Sequence, residues 1–459
     1  MTDEIIVRSP YDGAEVGRVR AHGTDDVDVA VAAARRALTD APLAQWRRAE
    51  ILDAAAAAVA DDEDRLARTI AAEAAKPLKT ARIEAQRTVS TFRFAAAEAR
   101  KLTGETVPLD AADVGEGKLA FTLRLPIGVV GAISPFNFPL NLVAHKVAPA
   151  IAAGCPVVLK PASQTPLSAL ALRDLLVERC GLPAEWLHVV PGPGGEVGNA
   201  IVEHPDIAMI SFTGSAEVGW SIRAKAPKKK VALELGNNAP VIVEPDGDWR
   251  TAAKKISVAG FSHAGQSCIS TQRIYAHEAI ANAFVDELVG HVEKLVVGDP
   301  LDPDTDVSAL ISEDDRDRVA GWIEEAVAGG AVVRTGGRVE GALLLPTVLT
   351  GVTPDMRVCR DEVFGPVVAV QVYRERADAL RLANDTRYGL QAAIFTADLG
   401  AALEAARTLD FGGVLINEVP TWRADHMPYG GMRDSGNTRE GPAYSVREMT
   451  ESRLIVVQP

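Results

Sequence analysis

Val129-Val130-Gly131-Ala132-Ile133 is followed at once by Ser134-Pro135-Phe136-Asn137-Phe138-Pro139. A short β-branched run that ends in a proline-bounded turn reads as a buried strand whose loop presents a polar side chain. The same texture recurs downstream at Pro156-Val157-Val158-Leu159-Lys160, His188-Val189-Val190, Met209-Ile210-Ser211-Phe212 and Val241-Ile242-Val243. Pro166–Cys180, between two of these runs, has helical periodicity. Such alternation predicts βαβ units around a largely parallel sheet. A second series follows, with strands at Gln272–Tyr275, Ala331–Val333 and Val367–Val370 beside helices at 279–296, 314–328 and 376–385. Upstream, residues 26–100 are alanine-rich with apolar positions every three or four residues, so they read as helices, interrupted at Ala41-Pro42-Leu43. The expected architecture is α/β, two lobes in one continuous chain.

Composition narrows the function. The chain has 459 residues, with 48 Lys+Arg against 62 Asp+Glu and a net charge of −14, so phosphate backbones are repelled and nucleic acid is not an expected partner. Hydrophobic residues at 47% and charged residues at 24% predict a folded core rather than disorder. No run approaches the ~18 apolar residues of a membrane span. Met1-Thr2-Asp3-Glu4-Ile5-Ile6-Val7 is acidic before it is apolar, unlike a secretory leader, and a cytoplasmic protein is expected. Cys155, Cys180, Cys268 and Cys359 include no CxxC pair, and the eight histidines form no HExxH. Reduced thiols and no metal site are the expectation.

Several polar residues sit where strands give way to turns, the usual place for ligands in such sheets. Asn137, in its stiff apolar turn, reads either as a donor to a developing oxyanion or as a turn residue serving local backbone. Lys160, at a strand end, suits a phosphate or ribose, or is simply solvated. Phe212-Thr213-Gly214-Ser215 puts small residues before a helix, where backbone could approach a pyrophosphate, although no GxGxxG is present. Glu234, inside the apolar run Leu233–Leu235, reads either as a buried general base with a raised pKa or as a hydrogen-bonded structural carboxylate. Cys268, in Gly265-Gln266-Ser267-Cys268-Ile269-Ser270, is either a nucleophile or a small buried hydrophobe.

Taken in order, these segments resemble the aldehyde dehydrogenase family across essentially the whole chain, from Val7-Arg8-Ser9-Pro10-Tyr11-Asp12-Gly13 to Pro428-Tyr429-Gly430-Gly431 and Arg439-Glu440. Glu234-Leu235-Gly236 and Gly265-Gln266-Ser267-Cys268 are similar to its two signature motifs. The resemblance implies that Cys268 attacks an aldehyde as a thiolate. Asn137 and the Cys268 N–H then hold the oxyanion, a donor worth ~3–4 kcal/mol of barrier. Glu234 activates the water that releases the acid, which sets the chain apart from the CoA-acylating branch. Asn237 stands where a second Gly is usual, and an Asn tolerant of left-handed backbone is expected to keep that turn. Thr438 also replaces a usual Gly, and Phe136 a frequent Trp.

The resemblance further implies that Lys160, Gly214 and Ser215 bind the adenosine ribose and pyrophosphate, with Glu362 and Phe364 of Glu362-Val363-Phe364-Gly365-Pro366 near the nicotinamide ribose. NAD-preferring members commonly carry Glu where this chain has Ser163. Without that carboxylate a 2′-phosphate is not repelled, so NADP is expected over NAD, a unit charge at ~4 Å being worth about 1–4 kcal/mol. Asn417–Pro428 is similar to members acting on lactaldehyde- or glyceraldehyde-like substrates, with His145, Arg423 and His426 as candidate substrate contacts. Succinic semialdehyde is the alternative, although its enzymes carry arginines where this chain has His145 and Ser262. Family architecture implies a nucleotide-binding domain at 1–116 and 128–236, a catalytic domain at 237–440, and oligomerisation segments at 117–127 and 441–459 that form a small β-sheet in a homodimer or homotetramer. The competing classes are a cysteine hydrolase or acyltransferase pairing Cys268 with His263 without nicotinamide, and a scaffold without catalysis.

Overall fold

The computed structural model describes residues 4–459; Met1–Asp3 of the N-terminal stretch lie outside them. Four helices, α1 (Thr24–Asp40), α2 (Gln45–Asp61), α3 (Glu63–Ala74) and α4 (Leu78–Lys101), occupy the alanine-rich segment, with the break at Ala41–Ala44 as expected. Their buried faces are mostly alanine, including Ala55, Ala56, Ala81, Ala85, Ala95 and Ala96. Side chains that small let helix axes approach closely, and α2 and α4 pack along their length over one core with α5 (Asn141–Ala153). A β-hairpin, Glu4–Arg8 with Glu15–Arg20, precedes them.

The first sheet has five parallel strands: β1 (Val129–Ile133), β2 (Val157–Lys160), β3 (Leu187–Val189), β4 (Ile207–Thr213) and β5 (Lys230–Glu234), in the order β3-β2-β1-β4-β5. Helices cover both faces of such a sheet, so its central strands are apolar without alternation; Val129–Ala132 and Val157–Leu159 are fully buried. The chain runs outward from β1 to β3, then crosses back to β4. The carboxyl ends of β1 and β4 therefore flank the reversal of strand order, where a doubly wound sheet opens a crevice. Asn137 follows β1, and Gly214-Ser215 follows β4 and leads into helix α6 (Ala216–Lys225).

The second sheet has seven strands: β6 (Pro240–Val243), β7 (Arg273–His277), β8 (Val332–Thr335), β9 (Thr347–Thr350), β10 (Val367–Tyr373), β11 (Gln391–Phe395) and β12 (Gly413–Ile416). Their order is β8-β9-β10-β7-β6-β11-β12, with only the β8–β9 edge antiparallel. Cys268 precedes β7 and Glu362 precedes β10, so the second sheet offers its amino edge to the crevice where the first ends its strands. A separate small sheet pairs Leu119–Pro126 with Thr450–Val457 in antiparallel register from Thr450↔Pro126 to Val457↔Leu119. Among the described residues no helix is long and apolar enough to cross a membrane.

Candidate active site

Asn137, Glu234 and Cys268 open onto one cleft of about 850 Å³, whose walls also carry Gly214, Ser215, Glu362 and Phe364. That volume suits a ligand of dinucleotide size, within the roughly 300–1,000 Å³ of common ligand sites.

The Asn137 loop is held from below. Lys76, wholly buried, donates its ammonium to the Asn137 carbonyl at 2.8 Å and to Glu84 at 2.5 Å, and stands 3.5 Å above the Phe138 ring. Glu84 Oε1 accepts from the backbone N–H groups of Leu140 and Asn141 at 2.9 and 3.0 Å, satisfying the start of α5. The Asn137 side chain donates one amide hydrogen to Gln266 O at 2.8 Å across the cleft. An amide nitrogen carries two hydrogens, so the second is left for an incoming oxygen.

The cysteine loop is strained. His263 and Ala264 have φ of +52° and +54°, an arrangement that costs about 1–3 kcal/mol for each non-glycine residue. Gly265 follows at φ +71°, where a Cβ would stand 2.1 Å from Gly365 O. Gln266 clasps the loop, donating from Nε2 to His263 O at 3.2 Å and accepting from Ile311 N at 2.9 Å. Cys268 is half-buried, and its sulfur bonds the Tyr429 hydroxyl at 2.9 Å. Burial pushes the thiol up to about 12, the Tyr429 bond opposing and the Glu362 charge adding to the rise. His263 makes no bond to it: both ring nitrogens are buried without partners, and burial with the Lys76 charge nearby keeps the ring neutral. The Cys268–His263 pair that a hydrolase would need is therefore not formed.

Glu234 ends β5 with both carboxylate oxygens buried and unpartnered. Burial and then the negative charge of Glu440 raise its pKa well above the carboxylate range. Glu440 takes the opposite course: burial is outweighed by His145, Arg423 and Lys146, which hold it down at about 2. Two acids share one buried pocket, and the charge resides on Glu440. A Cβ on Gly430 would stand 2.9 Å from Glu234 Oε1 and 2.1 Å from Thr438 O, which accounts for the glycine after Tyr429.

A second, smaller cavity of about 30 Å³ lies beside Cys268, between Phe138, Leu142, Ile269 and Tyr429, with Arg87 and Arg423 in its wall. Arg423 donates to Glu440 at 2.5 Å and lies 3.8 Å over the Tyr429 ring. Arg87 holds Asp425 through Nε and Nη2, at 3.3 and 2.8 Å, and among the described residues its Nη1 makes no bond. The two histidines expected near the substrate stand elsewhere. His145 is buried behind the cavity, bonding Asp425 at 3.0 Å, and His426 is exposed against the Phe94 ring at 4.4 Å.

On the cofactor side, Gly236 lacks a side chain where a Cβ would meet Glu362 Oε2 at 2.2 Å, and Asn237 N–H donates to Glu362 Oε1 at 3.0 Å. Burial raises Glu362 to about 7. Phe364 meets Phe136 edge-on at 5.8 Å. The Ser215 hydroxyl caps α6, accepting from Val218 N at 3.5 Å. Lys160 is nearly buried with the Pro161 carbonyl as its hydrogen-bond partner at 3.1 Å, and burial lowers its pKa to about 8. Ser163 lines a second groove, with Arg8 and Tyr11, that meets the main cleft at Gln164, and it donates to Gly192 O at 3.0 Å. A helix N-terminus, an under-satisfied ammonium and a carboxylate with one free oxygen match the phosphates and ribose hydroxyls of a dinucleotide. Asn237 is not left-handed, contrary to expectation: its side chain replaces the glycine by bonding Gln391 O at 3.0 Å and Leu390 N at 3.5 Å. Thr438, at the other departure, donates to Glu448 at 2.6 Å.

Two largely parallel sheets thus meet at a dinucleotide-sized cleft with a thiol on its wall. The aldehyde dehydrogenase family profile matches residues 1–455. The 3-sulfolactaldehyde dehydrogenase of Priestia aryabhattai is 46% identical over 455 residues, covering 99% of this chain and 95% of that protein. The lactaldehyde dehydrogenase of Methanococcus aeolicus is 38% identical over 458 residues, covering 99% and 97%. The crystal structure of the glyceraldehyde-3-phosphate dehydrogenase GapN from Methanocaldococcus jannaschii, complexed with NADP, superposes with a TM-score of 0.95 at 37% identity and covers 100% of both chains. The chain belongs to the aldehyde dehydrogenase family, and it is an NAD(P)-dependent enzyme that oxidises aldehydes.

Proposed function

We propose that this enzyme converts short hydroxylated aldehydes with an anionic end into the free acids, with NADP preferred over NAD. The observation that carries the catalytic reading is the single cleft shared by Asn137, Glu234, Cys268 and the cofactor-facing residues Gly214, Ser215, Glu362 and Phe364. Cys268 sulfur bonds the aldehyde carbon, and the free Asn137 amide hydrogen and the Cys268 N–H receive the oxygen that becomes negative. The nicotinamide, when bound, supplies the acceptor for the hydride that leaves this carbon. Glu234 then takes a proton from water as the water oxygen bonds the acyl carbon; the C–S bond breaks, the acid departs and the sulfur regains its charge. Lys160, Gly214, Ser215 and Glu362 would hold the dinucleotide, and Ser163 supports NADP by placing no carboxylate near the ribose.

The small cavity supports a short substrate, and the free Arg87 Nη1 beside Arg423 supports an anionic tail in place of the arginines absent at His145 and Ser262. The names of the lactaldehyde, sulfolactaldehyde and glyceraldehyde-3-phosphate relatives agree with that class. The free edge of Thr450–Val457, with Leu454 and Val456 exposed, supports a homo-oligomer. An acidic chain with four unpaired thiols fits the cytoplasm.

The test is reduced-nicotinamide absorbance with lactaldehyde, sulfolactaldehyde, glyceraldehyde 3-phosphate, succinic semialdehyde and propanal, using NADP and NAD in parallel and Cys268→Ala as the blank. Anionic hydroxyaldehydes should give the highest kcat/KM, and Arg87→Met should reduce their advantage over propanal. An unchanged ratio in Arg87→Met would sink the tail assignment.

A further inference from the structure

The mechanism above leaves one buried group unused. The Tyr429 phenol stands 2.9 Å from Cys268 sulfur, its ring in an apolar cluster with Ile269 and Leu390. Nothing in the local sequence announces this contact, which joins residues 161 positions apart. The phenol is fixed from two sides. Backbone bonds tie Tyr429 to Glu440, N–H to O at 3.0 Å and the reverse at 2.5 Å, and the Arg423 guanidinium covers the ring face at 3.8 Å. A cation over an aromatic face draws electron density from the ring and makes the hydroxyl a stronger donor.

Among the described residues Tyr429 is the sole hydrogen-bond partner of that sulfur. The apolar surroundings otherwise disfavour a thiolate, and the thiolate is the nucleophilic form. We infer that Tyr429 is a catalytic residue, donating its phenolic hydrogen to Cys268 sulfur and so stabilising the thiolate that attacks and later leaves the acyl carbon. No proton passes between them: the thiol proton goes to water in the cleft, and the phenol keeps its own. As the C–S bond forms, charge moves from sulfur to oxygen and the bond weakens. As the thioester breaks, charge returns to sulfur and the same bond strengthens, so one hydroxyl serves both half-reactions.

The inference rests on Cys268 as the nucleophile, and its test does not require aldehyde oxidation. Cys268 alkylation by iodoacetamide, located by mass spectrometry, reports thiolate content directly across pH. Tyr429→Phe removes one oxygen and keeps the ring, its packing and the Arg423 contact. At each pH below the midpoint, the variant should alkylate about tenfold more slowly, its profile displaced about one unit upward, as expected for losing one hydrogen bond to a charged group. Its kcat/KM should fall by a similar factor while its melting temperature holds. A Tyr429→Phe alkylation profile that coincides with the parent overturns the inference, even if turnover falls, because the hydroxyl would then act on substrate or packing. Absence of turnover in both proteins with the displaced alkylation profile intact would instead count against the substrate reading alone.

Discussion

Tyr429 and Glu440 face each other across a two-residue antiparallel bridge, so the residue on the sulfur and the residue whose charge adds to the burial of Glu234 are fixed by the same pair of backbone bonds. Cys268, in the loop before β7, and Glu234, at the end of β5, are thereby contacted from one bridge.

Glu440→Gln should separate the two carboxylates electrostatically. Glu234 must be ionised to accept a proton from water, and its raised pKa means that deacylation climbs as pH rises through that value. Removing the Glu440 charge lowers the Glu234 pKa, so the acid limb of the kcat profile should move to lower pH. The same variant leaves Arg423 without its anion, and unfolding in urea should show a loss approaching about 3–5 kcal/mol. An acid limb that stays or moves up contradicts the assignment of charge to Glu440.

Lys76→Met tests the support of the oxyanion loop. It strands Glu84 in the core, costing about 3–5 kcal/mol by analogy with other broken buried pairs. It also frees the Asn137 carbonyl, and kcat should fall about tenfold or more as the amide loses its aim. Denaturant unfolding and steady-state kinetics check the two parts; a stable, fully active variant would remove Lys76 from the account.

Ser163→Glu should weaken NADP selectively. A carboxylate beside a 2′-phosphate costs about 1–4 kcal/mol, hence a rise in KM for NADP of about tenfold, with KM for NAD unchanged or lower. Equal effects on both cofactors would mean that another residue reads the ribose.

Gly236→Ala should act at a distance from the thiol. The new Cβ would collide with Glu362, which Asn237 N–H holds in place, so dinucleotide affinity measured by fluorescence should drop about tenfold while Cys268 alkylation is unchanged. Normal affinity would show that Glu362 swings away freely.

The parallel strands were readable because burial on both faces turns β1 and β2 into uninterrupted apolar runs, and the alanine helices because their periodicity spans many turns. The hairpin Glu4–Arg8/Glu15–Arg20 escaped because its strands are short, half-exposed and interleaved with charge. Asn137, Glu234 and Cys268 were singled out through motifs, and the fold brings them to one cleft. A search confined to strand carboxyl ends would have missed Cys268 and Glu362, which enter from the amino edge of the second sheet. Tyr429, Lys76 and Arg87 were invisible in their local context, since each gains its meaning from a partner far along the chain: Arg87 meets Asp425 338 residues away. His145 and His426 carried the right chemistry for an anion, but α5 and the Phe94 contact turn them from the cavity.

Lys160 brings acidity into the question of cofactor occupancy. With a pKa of about 8, the buried amine is partly uncharged near neutrality, and an anionic ligand arriving beside it favours the protonated form. If the dinucleotide seats beside Lys160 as proposed, its uptake draws in a fraction of a proton. Apparent affinity declines as pH climbs past that value, and the heat of binding depends on which buffer surrenders the proton. Protons released by the oxidation would, by that route, tighten the hold on the cofactor, and an alkaline medium would slacken it.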